Sequence, residues 1–153
     1  MDTTLQHRLT QRSAQTMLRW VVAATLAVFI GFGAIIRLIA LDRFPPGLHF
    51  DEAVYGLLAR DILHGARPVF FSAWTGREPL YMYLMAPVQA LVGVNTLAIR
   101  LTSALIGLAT LPLTYLLGRE LFSRRVALLA TGLLATSYWH LTVSRNGYPN
   151  ILI

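Results

Sequence analysis

A chain of 153 residues that is 56% hydrophobic and 13% charged, with a mean hydropathy of +0.58, carries more apolar surface than a soluble domain of that size can bury. The formal charge of +6 rests on thirteen basic residues, all arginine, that sit at the ends of apolar runs and form no basic stripe, which argues against nucleic-acid binding. Cysteine is absent, so disulfides and thiolate metal sites are excluded.

Residues 1–19 are polar, with Arg8, Arg12 and Arg19 against Asp2, and read as a cytoplasmic N-terminal tail. The run from Leu18 to Leu41 predicts the first membrane span, since ~20 residues at ~1.5 Å rise cross the hydrocarbon. Its length, and the lack of a small-x-small cleavage site after it, favour an uncleaved helix over a signal peptide. Arg37, near the far end, is expected to snorkel to the interface.

Residues 42–97 are more polar and are broken by Pro45, Pro46, Gly47, Gly65, Pro68, Gly76 and Pro79, which predicts a large outer loop. Two short helices stand out within it. Over 51–64, Val54, Leu57, Leu58 and Ile62 recur at helical spacing and Gly65 supplies a stop, as in an amphipathic helix lying along the membrane surface. Over 79–92 the chain is apolar and aromatic, but at about 21 Å it falls short of the ~30 Å hydrocarbon core, so it reads as interfacial or re-entrant.

Further spans are expected over 98–118 and 126–143, joined by the arginine-rich segment 119–125. If the 79–92 helix does not cross, both arginine-rich segments stay on the cytoplasmic side, as the positive-inside rule requires. Residues 42–97 and 144–150 then share the extracytoplasmic face. Ile151-Leu-Ile153 resembles the start of a fourth span. The expected fold is therefore an all-α integral membrane protein with three transmembrane helices and a large first outer loop.

Asp51 and Glu52 are the most informative residues. Paired carboxylates are costly beside hydrocarbon, and these two follow directly on the first span. Asp51 suits a helix N-cap with Glu52 in the first turn, and one of the two also suits a general base that takes a proton from an attacking hydroxyl or amine. His49, with Glu78 as a further weak candidate, offers ligands for a divalent cation, although no cofactor is certain. Arg77 lies just before the Pro79 helix start and can present a fork of donors to a phosphate, with Tyr81 alongside in the same motif. Arg60 and Arg145 are further phosphate candidates, and Arg145 also suits a headgroup anchor.

Several stretches, in this order, resemble one family. They are Pro45-Pro-Gly-Leu-His-Phe-Asp-Glu-Ala-Val-Tyr55, Gly76-Arg-Glu-Pro-Leu-Tyr-Met-Tyr-Leu84, Ala98-Ile-Arg-Leu-Thr-Ser-Ala-Leu-Ile-Gly107, Leu116-Leu-Gly-Arg-Glu-Leu-Phe122 and Ser144-Arg145. From about residue 18 onward the chain is similar to the N-terminal part of C-type membrane glycosyltransferases, the protein O-mannosyltransferase and aminoarabinose-transferase-like group. The resemblance implies an inverting enzyme, expected in the inner membrane, and the positive-inside rule places its N-terminus in the cytoplasm. It implies a polyprenyl-phosphate-linked sugar donor and a lipid, protein or glycan acceptor on the extracytoplasmic face. Asp51 falls where the family places its catalytic carboxylate. Relatives often carry a basic residue before the proline where this chain has Glu78-Pro79, and Arg77 precedes it by one position. The same resemblance implies many further spans, so the chain is expected to be an N-terminal fragment, inactive alone. A transporter component or a small non-catalytic membrane protein are the rival expectations.

Overall fold

The structure, a computed structural model, describes residues 3–72 and 76–152; Asp2, Thr75 and Ile153 lie outside the described residues. Six α-helices follow one another: α1 (Thr3–Leu38), α2 (Phe50–Leu63), α3 (Leu80–Val92), α4 (Thr96–Leu121), α5 (Arg124–Thr136) and α6 (Tyr138–Arg145). A 3-10 turn over Pro149–Leu152 follows α6. Two segments are long and apolar enough to cross a membrane, Gln15–Leu38 and Thr96–Leu121, and α5 with α6 makes a third if the bent pair is one span. The protein is an all-α membrane protein.

The polar segment ahead of the first span is helical from Thr3, forming the first turns of α1, which runs unbroken for 36 residues. At ~1.5 Å per residue this helix exceeds the hydrocarbon by several turns. α4 is the central element and packs against α1, α3, α5 and α6. α2 and α3 pack together beside the start of α4, with one apolar core between them. Val54, Tyr55, Leu58, Ala59 and Ile62 of α2 meet Tyr81, Met82, Met85 and Ala86 of α3 in that core, and Ile99 of α4 and Ile151 close it. The buried positions on α2 recur at three- and four-residue steps, as expected of one helix face. The outer faces stay apolar, with Leu57, Leu84 and Leu91 exposed, as suits an interfacial pair.

Two expectations are corrected. The span expected over 126–143 is bent by 57° between α5 and α6, at Ser137. Arg37 does not snorkel. It is fully buried, and its guanidinium occupies the bend. Nη1 donates to Ala135 O (3.2 Å) and Nη2 to Leu134 O (3.5 Å) and His140 Nδ1 (2.8 Å), while Nε donates to Ser144 Oγ (3.3 Å). The carbonyls freed where α5 stops therefore find their donors on α1, and a cation inside the bundle replaces the missing helical N–H groups. Because the His140 ring accepts at Nδ1 from a cation, its proton sits on Nε2 and is donated to Thr110 Oγ1 of α4 (3.0 Å). Arg37, His140 and Thr110 thus tie together three helices, α1, α6 and α4.

Candidate active site

The N-terminus of α2 is capped by His49, not by Asp51. His49 Nδ1 accepts from Asp51 N (3.3 Å), and Glu52, three residues on, reaches back so that its Oε2 accepts from His49 N (2.9 Å). This is a capping box with histidine in the usual Ser/Thr place. The other oxygen of Glu52 accepts from Gly147 N at 2.6 Å, and the residue is 2% exposed. Glu52 therefore joins the start of α2 to the segment after α6. The junction needs glycine, because a Cβ at Gly147 would collide with Ile99 Cγ2 and lie 3.4 Å from Glu52 Oε1.

With capping carried by its neighbours, Asp51 faces outward. Its side chain is 37% exposed, and Oδ1 accepts from Arg77 Nη2 at 3.1 Å. Arg77 is held at three points. A two-residue bridge with Phe71 fixes its backbone, its Nη1 donates to Tyr55 OH, and its guanidinium lies 4.6 Å above the Tyr55 ring. Its Nε is buried without a partner among the described residues. Because Arg77 can only donate, the Tyr55 oxygen accepts and its own O–H stays free for a ligand.

Aromatic rings back the pair. Tyr55 lies edge-on to Tyr81 (6.1 Å) and to Tyr148 (6.4 Å), and Tyr148 lies 5.8 Å from the His49 ring. Burial raises the pKa of Tyr55 and Tyr148 above the usual phenol value, and for Tyr148 the Glu52 and Asp51 carboxylates raise it further. Both phenols are thus neutral donors near pH 7. Tyr81 is buried, its hydroxyl 2.6 Å from Ser103 Oγ, so it supports the site from behind rather than lining it.

Two clefts flank Asp51. One, of about 370 Å³, is lined by Pro45, His49, Glu52, Arg100, Asn146 and Tyr148 among others. The other, of about 280 Å³, is lined by Tyr55, Phe70, Arg77, Glu78 and Met82 among others. Asp51 lines neither; it stands on the rim between His49 of the first and Arg77 of the second. Arg77 is thus beside Asp51, and Glu78 lines the same cleft as Arg77.

The remaining expected residues lie elsewhere. Arg60 sits on the last turn of α2, roughly 13 Å along the axis from Asp51, paired with Asp61 at 3.5 Å in the open. Arg145 donates to Ile36 O, Ile39 O (2.9 Å) and Phe44 O (3.0 Å), closing the end of α1. Its donors face backbone carbonyls rather than a cleft. For a metal, His49 Nδ1 lies 3.8 Å from Asp51 Oδ2, but no three His, Asp or Glu side chains converge among the described residues.

Arg100 carries more than the sequence suggests. It is 1% exposed, donates to Leu41 O (3.3 Å) and Gly47 O, and keeps a buried Nε with no partner among the described residues. It binds the α1–α2 connection to α4 and lines the larger cleft. The available signal is a charge inside an apolar span one turn from its start, on the side that the Asp51 loop occupies.

Comparison with known proteins adds identity to this geometry. The chain is 28% identical, over 151 residues, to the undecaprenyl phosphate-alpha-4-amino-4-deoxy-L-arabinose arabinosyl transferase 1 of Pseudomonas fluorescens (strain Pf0-1). The match covers 96% of this chain and 26% of the relative, so the chain spans about a quarter of that protein's length. No solved structure matches. Residues 76–153, from the glycine before Arg77 onward, match the family described as dolichyl-phosphate-mannose-protein mannosyltransferase. With just over half of its length inside that match, the chain belongs to the dolichyl-phosphate-mannose-protein mannosyltransferase family.

Proposed function

We propose that the chain supplies the acid-bearing face of a membrane glycosyltransferase. It moves a sugar from a polyprenyl-phosphate donor to an acceptor on the extracytoplasmic side, with inversion at the sugar carbon. The observation that carries this is the outward-facing Asp51–Arg77 pair, a carboxylate free of capping duty beside a cation on an aromatic wall. The family match and the relative's use, by its name, of an undecaprenyl-phosphate-linked sugar support the donor class.

The chemistry follows from the two side chains. Asp51 takes the proton of the acceptor hydroxyl or amine as that atom bonds to the sugar carbon. The bond from that carbon to the phosphate oxygen breaks on the opposite face, and its electron pair leaves with the polyprenyl phosphate. Arg77, with the free O–H of Tyr55, stabilises the anion that departs. Glu52, with both oxygens already accepting backbone N–H bonds, holds the frame, and Asp51 acts as the base.

The proposed orientation puts the N-terminus of α1 and the 119–125 segment in the cytoplasm and Asp51 outside, with α3 lying in the interface. Asp51→Asn, introduced at the chromosomal locus, should abolish sugar transfer while the protein still accumulates in the membrane. Transfer at the parental rate in that strain, at equal protein level, removes Asp51 as the base.

A further inference from the structure

A second charged cleft lies at the end of the bundle away from Asp51. It has a volume of about 280 Å³ and is lined by Arg19, Val22, Ala23 and Leu26 of α1, Tyr115 and Arg119 of α4, and Arg124 of α5. About 26 Å of helix separates Arg19 from Ile36, where Arg145 ties α1 to the catalytic end, so the two sites occupy opposite membrane faces. Nothing in the proposed transfer reaction uses this cleft.

Its composition is specific. Cations from three separate helices converge at one mouth, although like charges repel. Arg19 and Arg124 have no hydrogen-bond or ion-pair partner among the described residues. Arg119 donates through Nε to Glu120 (3.0 Å), and both of its terminal nitrogens remain available. Tyr115 is 8% exposed, and its hydroxyl has no partner among the described residues. Below the arginines the wall turns apolar along Val22 and Leu26. A headgroup-level anion with hydrocarbon directly beneath it fits that sequence of surfaces.

We propose that this cleft binds the phosphate of an anionic phospholipid, held by Arg19, Arg119, Arg124 and the Tyr115 hydroxyl, with an acyl chain along Val22 and Leu26. Guanidinium forks match phosphate oxygens, and basic pockets between membrane helices are suited to anionic headgroups. The bound lipid would join α1, α4 and α5 at the end where no buried arginine does so.

The test is native mass spectrometry of the chain in detergent, titrated with phosphatidylglycerol, phosphatidylcholine or inorganic phosphate. Phosphatidylglycerol should be retained well above phosphatidylcholine, and inorganic phosphate at millimolar concentration should not displace it. The R19Q/R119Q/R124Q variant should weaken retention about 100-fold, and each single variant about fivefold. R43Q, at the opposite end, should leave it unchanged. The three arginines are solvent-exposed, so their loss should spare the fold; if the triple variant fails to fold, the single variants carry the measurement. Equal retention of the two lipids, unchanged retention in the variants, or an equal loss in R43Q overturns the proposal. Displacement by inorganic phosphate would make the cleft a free-anion site and overturn the lipid assignment. None of these readouts depends on sugar transfer, so failure here leaves the proposed function standing.

Discussion

Adjacent carboxylates at the start of α2 have divided two tasks between them. Glu52 is buried and accepts two backbone N–H bonds, one inside its own helix and one from Gly147 about a hundred residues away in sequence. Asp51 keeps its oxygens near the surface and meets only side chains. Charge-assisted bonds of this kind contribute about 1.5–3 kcal/mol each. Glu52→Gln retains one acceptor and turns an NH₂ group toward a donor, so it should cost on the order of 2 kcal/mol and free the 144–150 segment. Gly147→Ala should give the same effect by collision with Ile99, within the ~1–3 kcal/mol typical of overpacking. Thermal unfolding in detergent, together with the rate of proteolysis after Arg145, measures both; wild-type stability in the two variants would sever Glu52 from that segment. The division of labour is only half legible in the sequence. An acid pair after an apolar span marks the place, but which acid caps depends on His49 accepting from Asp51 N, a role the histidine does not advertise.

The helices themselves follow from sequence where their causes are local. α2 begins and ends where its apolar period and Gly65 say it should, and α3 starts at a proline and stops at Gly93, whose φ of 88° suits glycine. The break between α5 and α6 has no local cause of that strength. Thr136 and Ser137 are tolerated inside apolar helices, and the bend persists because Arg37 supplies donors to Leu134 and Ala135. A residue on α1 thereby sets the shape of a helix pair about a hundred residues later, which no window along the chain can contain. Arg37→Met keeps the apolar length and removes every guanidinium donor, which orphans Ala135 O and leaves Leu134 O with Ser137 N alone (3.3 Å) and His140 Nδ1 with Ser144 Oγ alone (3.4 Å). At roughly 1–3 kcal/mol per orphaned group the bend should not survive in its present form. Spin labels at Leu129 and Trp139, both exposed, read the change as a shift in their mean separation. An unaltered distance distribution in Arg37→Met would show that the bend is intrinsic to α5 and α6.

At the scale of the whole molecule, the arrangement of charge across the membrane determines whether the proposed chemistry has access to its substrates. Buried cations, Arg37 and Arg100, lie at the end of the bundle that carries Asp51, and each is surrounded by backbone carbonyls rather than acids. The unpaired arginines gather at the other end, around Arg19 and Arg124. Arginines in short loops are retained in the cytoplasm, so this asymmetry directs the Asp51 end outward, provided that α3 does not cross. The absence of cysteine favours a labelling test, because an introduced thiol is unique within these 153 residues. Val69→Cys replaces a residue 91% exposed in the segment between α2 and α3, and Glu120→Cys replaces an exposed residue in the arginine-rich connection. In intact cells a membrane-impermeant maleimide should label position 69 fully and position 120 only after the membrane is opened. Both lie outside the packed cores, so neither change should disturb folding. The reverse pattern would put Asp51 on the cytoplasmic side. Labelling of both positions in intact cells would require α3 to cross, since an additional crossing between them is what carries position 120 to the outer face.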